Sequence, residues 1–263
     1  MALDKDKIKS YGDILYDCLR NRTTIDPITD QEPGISIQDA YHISLHLLQR
    51  RLDAGEKIVG KKIGVTSKAV QNMLGVHQPD FGFLTDRMVC ENDGEIAISS
   101  QMIQAKAEGE IAFILKYDLE GPGVTNADVL RATECVMPCF EIVDSRITDW
   151  KIKIQDTVAD NASCGMFVLG DNRVSPDKVD LVSCGMVHEK NGEIIATGAG
   201  AAALGSPVNC VAWLANTLGG FGIKLAAGEV ILSGSLVPLH TVVPGDSMHL
   251  SVGGIGQASV RFV

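Results

Sequence analysis

The spacing of apolar positions divides the chain into a helical beginning and a strand-rich remainder. Residues 4–21 carry Ile8, Tyr11, Ile14, Leu15, Cys18 and Leu19 at helical intervals. After a connector through Pro27 and Pro33-Gly34, Ser36-Ile37-Gln38-Asp39 has the form of a capping box. It predicts a helix to Ala54 with Tyr41, Leu45, Leu48 and Leu52 as its buried stripe. From Ile58 the pattern changes. Residues 58–65 read as a strand, and Ser67 caps a short helix ending at Gly75 with Val70, Met73 and Leu74 on its apolar side. Gln78-Pro79-Asp80-Phe81-Gly82 reads as a turn. Residues 107–115 and 137–143 read as strands, separated by a second capping box, Thr125-Asn126-Ala127-Asp128, and a helix to Cys135. Residues 144–161 form a polar connection of the kind that often carries function. Asn191-Gly192 marks a hairpin with a type I′ turn, and Ser206-Pro207 opens a helix that stops at Gly219-Gly220. Residues 230–232, 248–252 and 258–263 complete the strands. The sum predicts an α+β protein: a helical N-terminal segment, residues 1–56, joined to a large, mainly-β domain, residues 57–263.

The strand at 107–115 holds the most informative chemistry. Residues i and i+2 share a face of a strand, so Glu108 and Glu110 project side by side. Two carboxylates that close repel, and burying either one unpaired is costly. They fit a solvated edge strand, or a site with a cation between them. Ile111, Phe113 and Leu115 fill one face, while Ala112 and Ile114 continue the glutamate face, so neither side reads as wet. Glu141 adds a third carboxylate from the neighbouring strand run. An all-carboxylate set with no nearby His or Cys suits Mg²⁺ or Mn²⁺ better than zinc.

Composition narrows the classes. The chain has 263 residues and is 45% hydrophobic but only 5% aromatic, enough for a mostly aliphatic core. Its formal charge of −10, without a Lys/Arg block, argues against nucleic acid and anionic membranes as partners. Seven cysteines show no C-x-x-C pair; Cys18, Cys135, Cys139, Cys164 and Cys184 read as small core residues. The charged N-terminus has no apolar leader, and no run approaches the roughly 20 residues of a membrane span, which predicts a reduced, cytoplasmic protein. His42 and His46 stand at i, i+4 but lie among Asp39, Gln49 and Arg50, the setting of a solvated face.

Gly198-Ala199-Gly200-Ala201-Ala202-Ala203 formally matches a dinucleotide fingerprint, yet the helix is delayed to Ser206 and the next acid is Glu229. A nicotinamide cofactor is rejected. Two further residues are candidates for proton transfer. Lys62 stands in an otherwise apolar strand, where burial disfavours its charge or where it serves as a cation beside an enolate. Asp80 is placed as a general acid or base. A snorkelling lysine and an aspartate capping its own turn account for the same residues.

Six motifs then match one family in order and spacing: Gly60-Lys61-Lys62-Ile63-Gly64-Val65-Thr66, Gln78-Pro79-Asp80-Phe81-Gly82, Ala107-Glu108-Gly109-Glu110-Ile111-Ala112, residues 140–146, residues 156–163 and residues 228–234. Nearly end to end, the chain resembles the 2-oxopent-4-enoate (2-hydroxypenta-2,4-dienoate) hydratases of aromatic meta-cleavage pathways. These belong to the hydratase/decarboxylase branch of the fumarylacetoacetate hydrolase superfamily. The resemblance implies the C-terminal fold of that superfamily, and Mg²⁺ or Mn²⁺ held by Glu108, Glu110 and Glu141. It implies Lys62 and Asp80 as the catalytic pair, and Leu74 and Ser163 as pocket lining. The implied substrate is a small anionic 2-oxo or 2-hydroxy dienoate: the dienol ketonises, water adds at C4, and the enolate is protonated at C3 to give 4-hydroxy-2-oxopentanoate. It also implies a homo-oligomer, pentamer or decamer, and a complex with the pathway's decarboxylase. The chain departs from the family at Gln104-Ala105-Lys106, where proline usually precedes the basic residue. The rival activity is decarboxylation of 4-oxalocrotonate on the same metal site. Val65-Thr66-Ser67-Lys68, Asp149-Trp150-Lys151 and Ser163-Cys164-Gly165 read closer to the hydratases. A purely structural role as a partner in a complex is the rival from another class.

Overall fold

A computed structural model describes residues 3–68, 71–72 and 75–263. Leu74, with Val70 and Met73, lies outside the described residues. Helix α1 (Lys5–Asn21) starts at Asp4, whose carboxylate accepts from the Lys7 amide at 2.8 Å, and stops where Arg22 turns left-handed. After the single turn α2 (Ile28–Gln31), helix α3 (Ile37–Asp53) opens on the expected capping box. Ser36 Oγ accepts from the Asp39 amide at 3.0 Å and the Asp39 carboxylate accepts from the Ser36 amide at 3.2 Å. The two long helices pack together, and Asp13 on α1 takes His46 Nε2 at 2.9 Å and the Arg50 guanidinium. His46 is therefore engaged with Asp13, while His42 is exposed.

The larger sheet joins β1 (Ile58–Gly64), β2 (Asp80–Thr85), β3 (Val89–Cys90), β5 (Lys106–Leu115), β6 (Thr133–Val143), β7 (Cys164–Leu169), β10 (Val230–Leu232) and β11 (His240–Thr241). Its order is β2-β1-β10-β5-β6-β7-β3, with β11 alongside β5. Pairing is antiparallel except for β1 with β10 and β3 with β7. The smaller sheet runs β4-β13-β12-β8-β9, from β4 (Gly94–Ile96), β8 (Gly185–Lys190), β9 (Glu193–Ala199), β12 (Ser247–Val252) and β13 (Gly256–Phe262). Asn191 and Gly192, both at positive φ, make the expected tight turn of the β8–β9 hairpin. The sheets meet closely at Gly109, where a Cβ would stand 2.5 Å from Met186 Sδ.

Both faces of the larger sheet are buried. One carries Ile63, Phe81, Phe83, Ile111, Phe113, Phe140 and Ile142 into the main core, where Phe81 stacks on Tyr41 of α3 at 4.2 Å. The other carries Leu84, Ala112, Ile114, Met137, Cys139, Phe167 and Leu232 in a second, smaller cluster. Strands covered on both sides are near-continuously apolar, so the two glutamates of β5 stand out as buried ionisable groups.

Three expectations are corrected. Asp80 opens strand β2 instead of sitting in a turn. The helix after Thr125 covers only Asn126–Ala132, because Thr133 bonds the Val129 carbonyl and leads directly into β6. Residues 144–161, read as a polar connecting loop, instead include the helix Ile154–Ala159, and Asp144, Arg146, Asp156 and Asp160 are buried. No helix among the described residues is long and apolar enough to cross a membrane.

Between the sheets, His188 of β8 is fully buried, with its ring 5.5 Å from Phe140 and 5.5 Å from His240, and neither ring nitrogen has a partner. Burial, with His240 adding to it, lowers the His188 pKa to about 4. The unfolded chain takes up this proton near the ordinary value of about 6.5. Stability is thus fully present above about 6.5 and falls toward pH 4, by on the order of 1.4 kcal/mol per pH unit across that window. Urea melts of His188→Leu between those limits should show a flatter acid limb than wild type, and equal slopes would contradict the assignment.

Candidate active site

The register of β5 and β6 builds the acidic centre. Glu108 lies directly opposite Glu141, and Glu110 is opposite Cys139, so all three glutamates project on one face. One oxygen from each falls within 4.8 Å of the others, and no histidine nitrogen or cysteine sulfur completes such a group among the described residues. Exposure of Glu108, Glu110 and Glu141 is 9%, 0% and 1%. Glu110 accepts from the Gly234 amide at 2.7 Å, leaving its other oxygen without a partner. Glu141 Oε1 is 3.0 Å from Lys62 Nζ and 3.7 Å from Cys164 Sγ, while its Oε2 is unpartnered.

Strands β1 and β2 supply the opposite wall. Lys62 pairs with Gly82 and Gly64 with Asp80 across the two strands. A Cβ on Gly64 would collide with Asp80 Oδ1 and sit 3.3 Å from Lys62 Nζ. This glycine therefore leaves the space in which the aspartate and the ammonium meet. Asp80 Oδ1 is buried without a hydrogen-bond partner. Cys164, read from sequence as a small core residue, is buried in the smaller apolar cluster and also brings its thiol to the Lys62 side of Glu141. Ser163 is buried with its hydroxyl 3.1 Å from that of Thr157.

The electrostatics are those of a site short of positive charge. Burial pushes Glu108 above the usual glutamate range, the Glu141 charge adding to it and Lys62 opposing. Burial does the same to Glu110, reinforced by Glu141 and then Glu108. Asp80 is raised by burial against the pull of Lys62. Burial disfavours the Lys62 ammonium, but Glu141, followed by Cys164, Asp80 and Glu108, holds its proton above the usual lysine range. The charge of this buried lysine is thus retained. Burial raises the Cys164 thiol, keeping it neutral.

Four buried carboxyl groups face one ammonium, and the free oxygens of Glu110 and Glu141 belong to the triad. Hard oxygen donors, converging and incompletely satisfied, fit a divalent cation of the Mg²⁺ or Mn²⁺ kind. Such an ion would let Glu108 and Glu110 ionise.

Comparison with known proteins agrees with this architecture. A 2-hydroxypent-2,4-dienoate hydratase from Pseudomonas putida is 71% identical over 221 residues, 84% of this chain and 100% of the relative. A 2-hydroxyhexa-2,4-dienoate hydratase from Comamonas testosteroni is 57% identical over 260 residues, 98% of each chain. Among solved structures, 4-oxalocrotonate decarboxylase from Pseudomonas putida G7, complexed with magnesium and adipate, superposes with a TM-score of 0.96 at 36% identity over 99% of both chains. The pattern of the fumarylacetoacetate (FAA) hydrolase C-terminal family matches residues 59–263, from the start of β1 to the last residue, and the chain belongs to that family.

Proposed function

We infer that the chain is a metal-dependent hydratase that adds water to 2-hydroxypenta-2,4-dienoate to give 4-hydroxy-2-oxopentanoate. The observation that carries this reading is the buried triad of Glu108, Glu110 and Glu141 facing the Lys62–Asp80 pair, in a chain 71% identical to a hydratase of that substrate. Bound by the three glutamates, Mg²⁺ or Mn²⁺ supplies a Lewis acid for the 2-oxo acid end of the substrate and offsets enolate charge.

The remaining steps fall to the chain's own groups. Lys62 keeps a proton on Nζ beside the acidic centre, where it donates a hydrogen bond to oxygen that becomes negative. Asp80, with a raised pKa and a free Oδ1, is suited to pass a proton between water and carbon at neutral pH. Burial of the whole group keeps bulk water from protonating the enolate at random. Ser163 and Leu74 line the substrate wall in this reading; Ser163 is supported by its place next to Cys164. The reading extends to a homo-oligomer of the pentamer or decamer type and to a complex with the pathway's decarboxylase, both measurable by sedimentation.

Decarboxylation is the second reading, favoured by the superposition on 4-oxalocrotonate decarboxylase. The test offers both substrates separately with Mn²⁺ and identifies products by mass and released CO₂. A gain of one water on the dienoate, with no CO₂ from 4-oxalocrotonate, is expected. CO₂ from 4-oxalocrotonate without hydration of the dienoate would replace the hydratase by its sister activity.

A further inference from the structure

Two stretches of the sequence, residues 144–146 and 156–162, have no part in the chemistry described so far, yet they meet in one buried network. Asn161, Ala162 and Ser163 are three consecutive non-glycine residues at positive φ, 53°, 50° and 54°. L-residues avoid that region, so the run persists only where its surroundings over-determine it. Arg146, 1% exposed, provides the restraint. Its Nη2 donates to the Asp160 carbonyl at 2.6 Å, before the run, and Nη1 to the Cys164 carbonyl at 2.9 Å, after it. Nε donates to Asp160 Oδ1 at 2.5 Å, and the Arg146 amide to Asp160 Oδ2 at 2.9 Å. The left-handed segment is clasped at both ends by one guanidinium.

What this segment holds is strand β2. The strand is an edge of the larger sheet, and Phe83 turns its N–H and C=O away from β1. The Asn161 side chain takes both: its Oδ1 accepts from the Phe83 amide at 2.8 Å, and its Nδ2 donates to the Phe83 carbonyl at 3.0 Å. A side-chain amide thus stands in for one rung of a missing strand. The contact is close because residue 82 is glycine; a Cβ there would lie 2.5 Å from the Asn161 carbonyl oxygen and 3.0 Å from Cys164 Sγ. Gly82 is the cross-strand neighbour of Lys62, and Asp80 precedes it on the same face by two residues. The loop that grips β2 also sends Cys164 to Glu141.

We propose that Asn161 is a positioning residue, held left-handed by Arg146, whose amide fixes β2 and so sets Asp80 against Lys62 and the glutamate strands. The proposal rests on the hydratase reading for its kinetic readout but not for its structural one. Asn161→Gly separates backbone from amide, since glycine adopts positive φ freely and has no side chain to grip Phe83. Hydrogen exchange at the Phe83 amide, Mn²⁺ affinity by electron paramagnetic resonance, kcat and KM are measured together on the full chain. The expected result is faster Phe83 exchange and a kcat lower by about 10- to 100-fold. KM and Mn²⁺ affinity should stay within about twofold, because the triad lies on β5 and β6. Asn161→Asp, which keeps the acceptor and loses the donor, is expected to fall between the two and serves where the glycine variant is poorly folded. Unchanged Phe83 exchange, or a glycine variant with wild-type kcat, would overturn the proposal. Parallel loss of Mn²⁺ affinity and kcat would also overturn it, marking Asn161 as a general support of the fold. Absence of turnover in wild type would fault the hydratase reading alone, because the exchange rate of Phe83 is independent of any substrate.

Discussion

Glu108→Gln is expected to lose metal-dependent turnover by about three orders of magnitude or more while leaving the metal-free protein folded. Glutamine keeps the volume of the side chain and removes its charge. Because burial and the neighbouring Glu141 already push the Glu108 carboxyl toward its neutral form, the neutral amide should cost the metal-free fold little. What it removes is an anionic oxygen donor to the ion, and hard divalent cations bind neutral amide oxygen more weakly than carboxylate. Mn²⁺ titration should show loss of the tight site, and thermal melting without metal should be unchanged or slightly higher. A Glu108→Gln protein that binds Mn²⁺ and turns over like wild type would remove Glu108 from the centre.

Lys62→Met should show the opposite division between stability and metal binding. Lys62 is the cation recorded beside Glu141, and removing one member of a buried pair strands the other, at a cost of about 3–5 kcal/mol. Metal-free Lys62→Met should therefore melt well below wild type. Added Mn²⁺ should recover most of the difference, because binding to the folded state replaces the lost positive charge. Turnover should nonetheless stay down by about 10²–10⁴-fold, since the proton and hydrogen-bond donor at Nζ is gone. Thermal shift with and without Mn²⁺ gives the first part and kcat the second. Full activity in the metal-saturated variant would show that Lys62 serves the fold and not the reaction.

Much of this site was legible in the chain because its chemistry conflicts with its surroundings. Glu108 and Glu110 share a face by strand geometry alone, and apolar residues on both sides of β5 signal that the face is buried. Glu141 could be placed on a neighbouring strand, but its position opposite Glu108 depends on register, which no local pattern fixes. Asp80 reads as part of a turn because Gln78-Pro79-Asp80-Phe81-Gly82 is rich in turn formers. The strand it begins is buried on both sides and so lacks alternation. Residues 144–161 read only as a polar connection, because no local pattern marks their charged residues as buried. Asp160 is satisfied by Arg146 and Asp156 by the Thr29 amide and hydroxyl, and pairing of that kind over 14 and 127 residues leaves no periodic trace. Cys164 reads as a core residue and is packed as one, but nothing in the sequence shows that its thiol also reaches Glu141. Two glycines held an unread clue. Gly64 and Gly82 interrupt strands where backbone and side chains must pass closely, the usual meaning of glycine within a strand.

The most direct test of a glutamate-held metal serving a Lys62–Asp80 pair is the decay of dienol absorbance when freshly generated 2-hydroxypenta-2,4-dienoate meets the protein. It is run first after treatment with EDTA and then with Mg²⁺ or Mn²⁺ restored. Loss of absorbance that stops with EDTA, returns with the metal and yields a product heavier by one water is the predicted result. Equal rates in EDTA and in Mn²⁺, with the triad shown to be stripped, would contradict it.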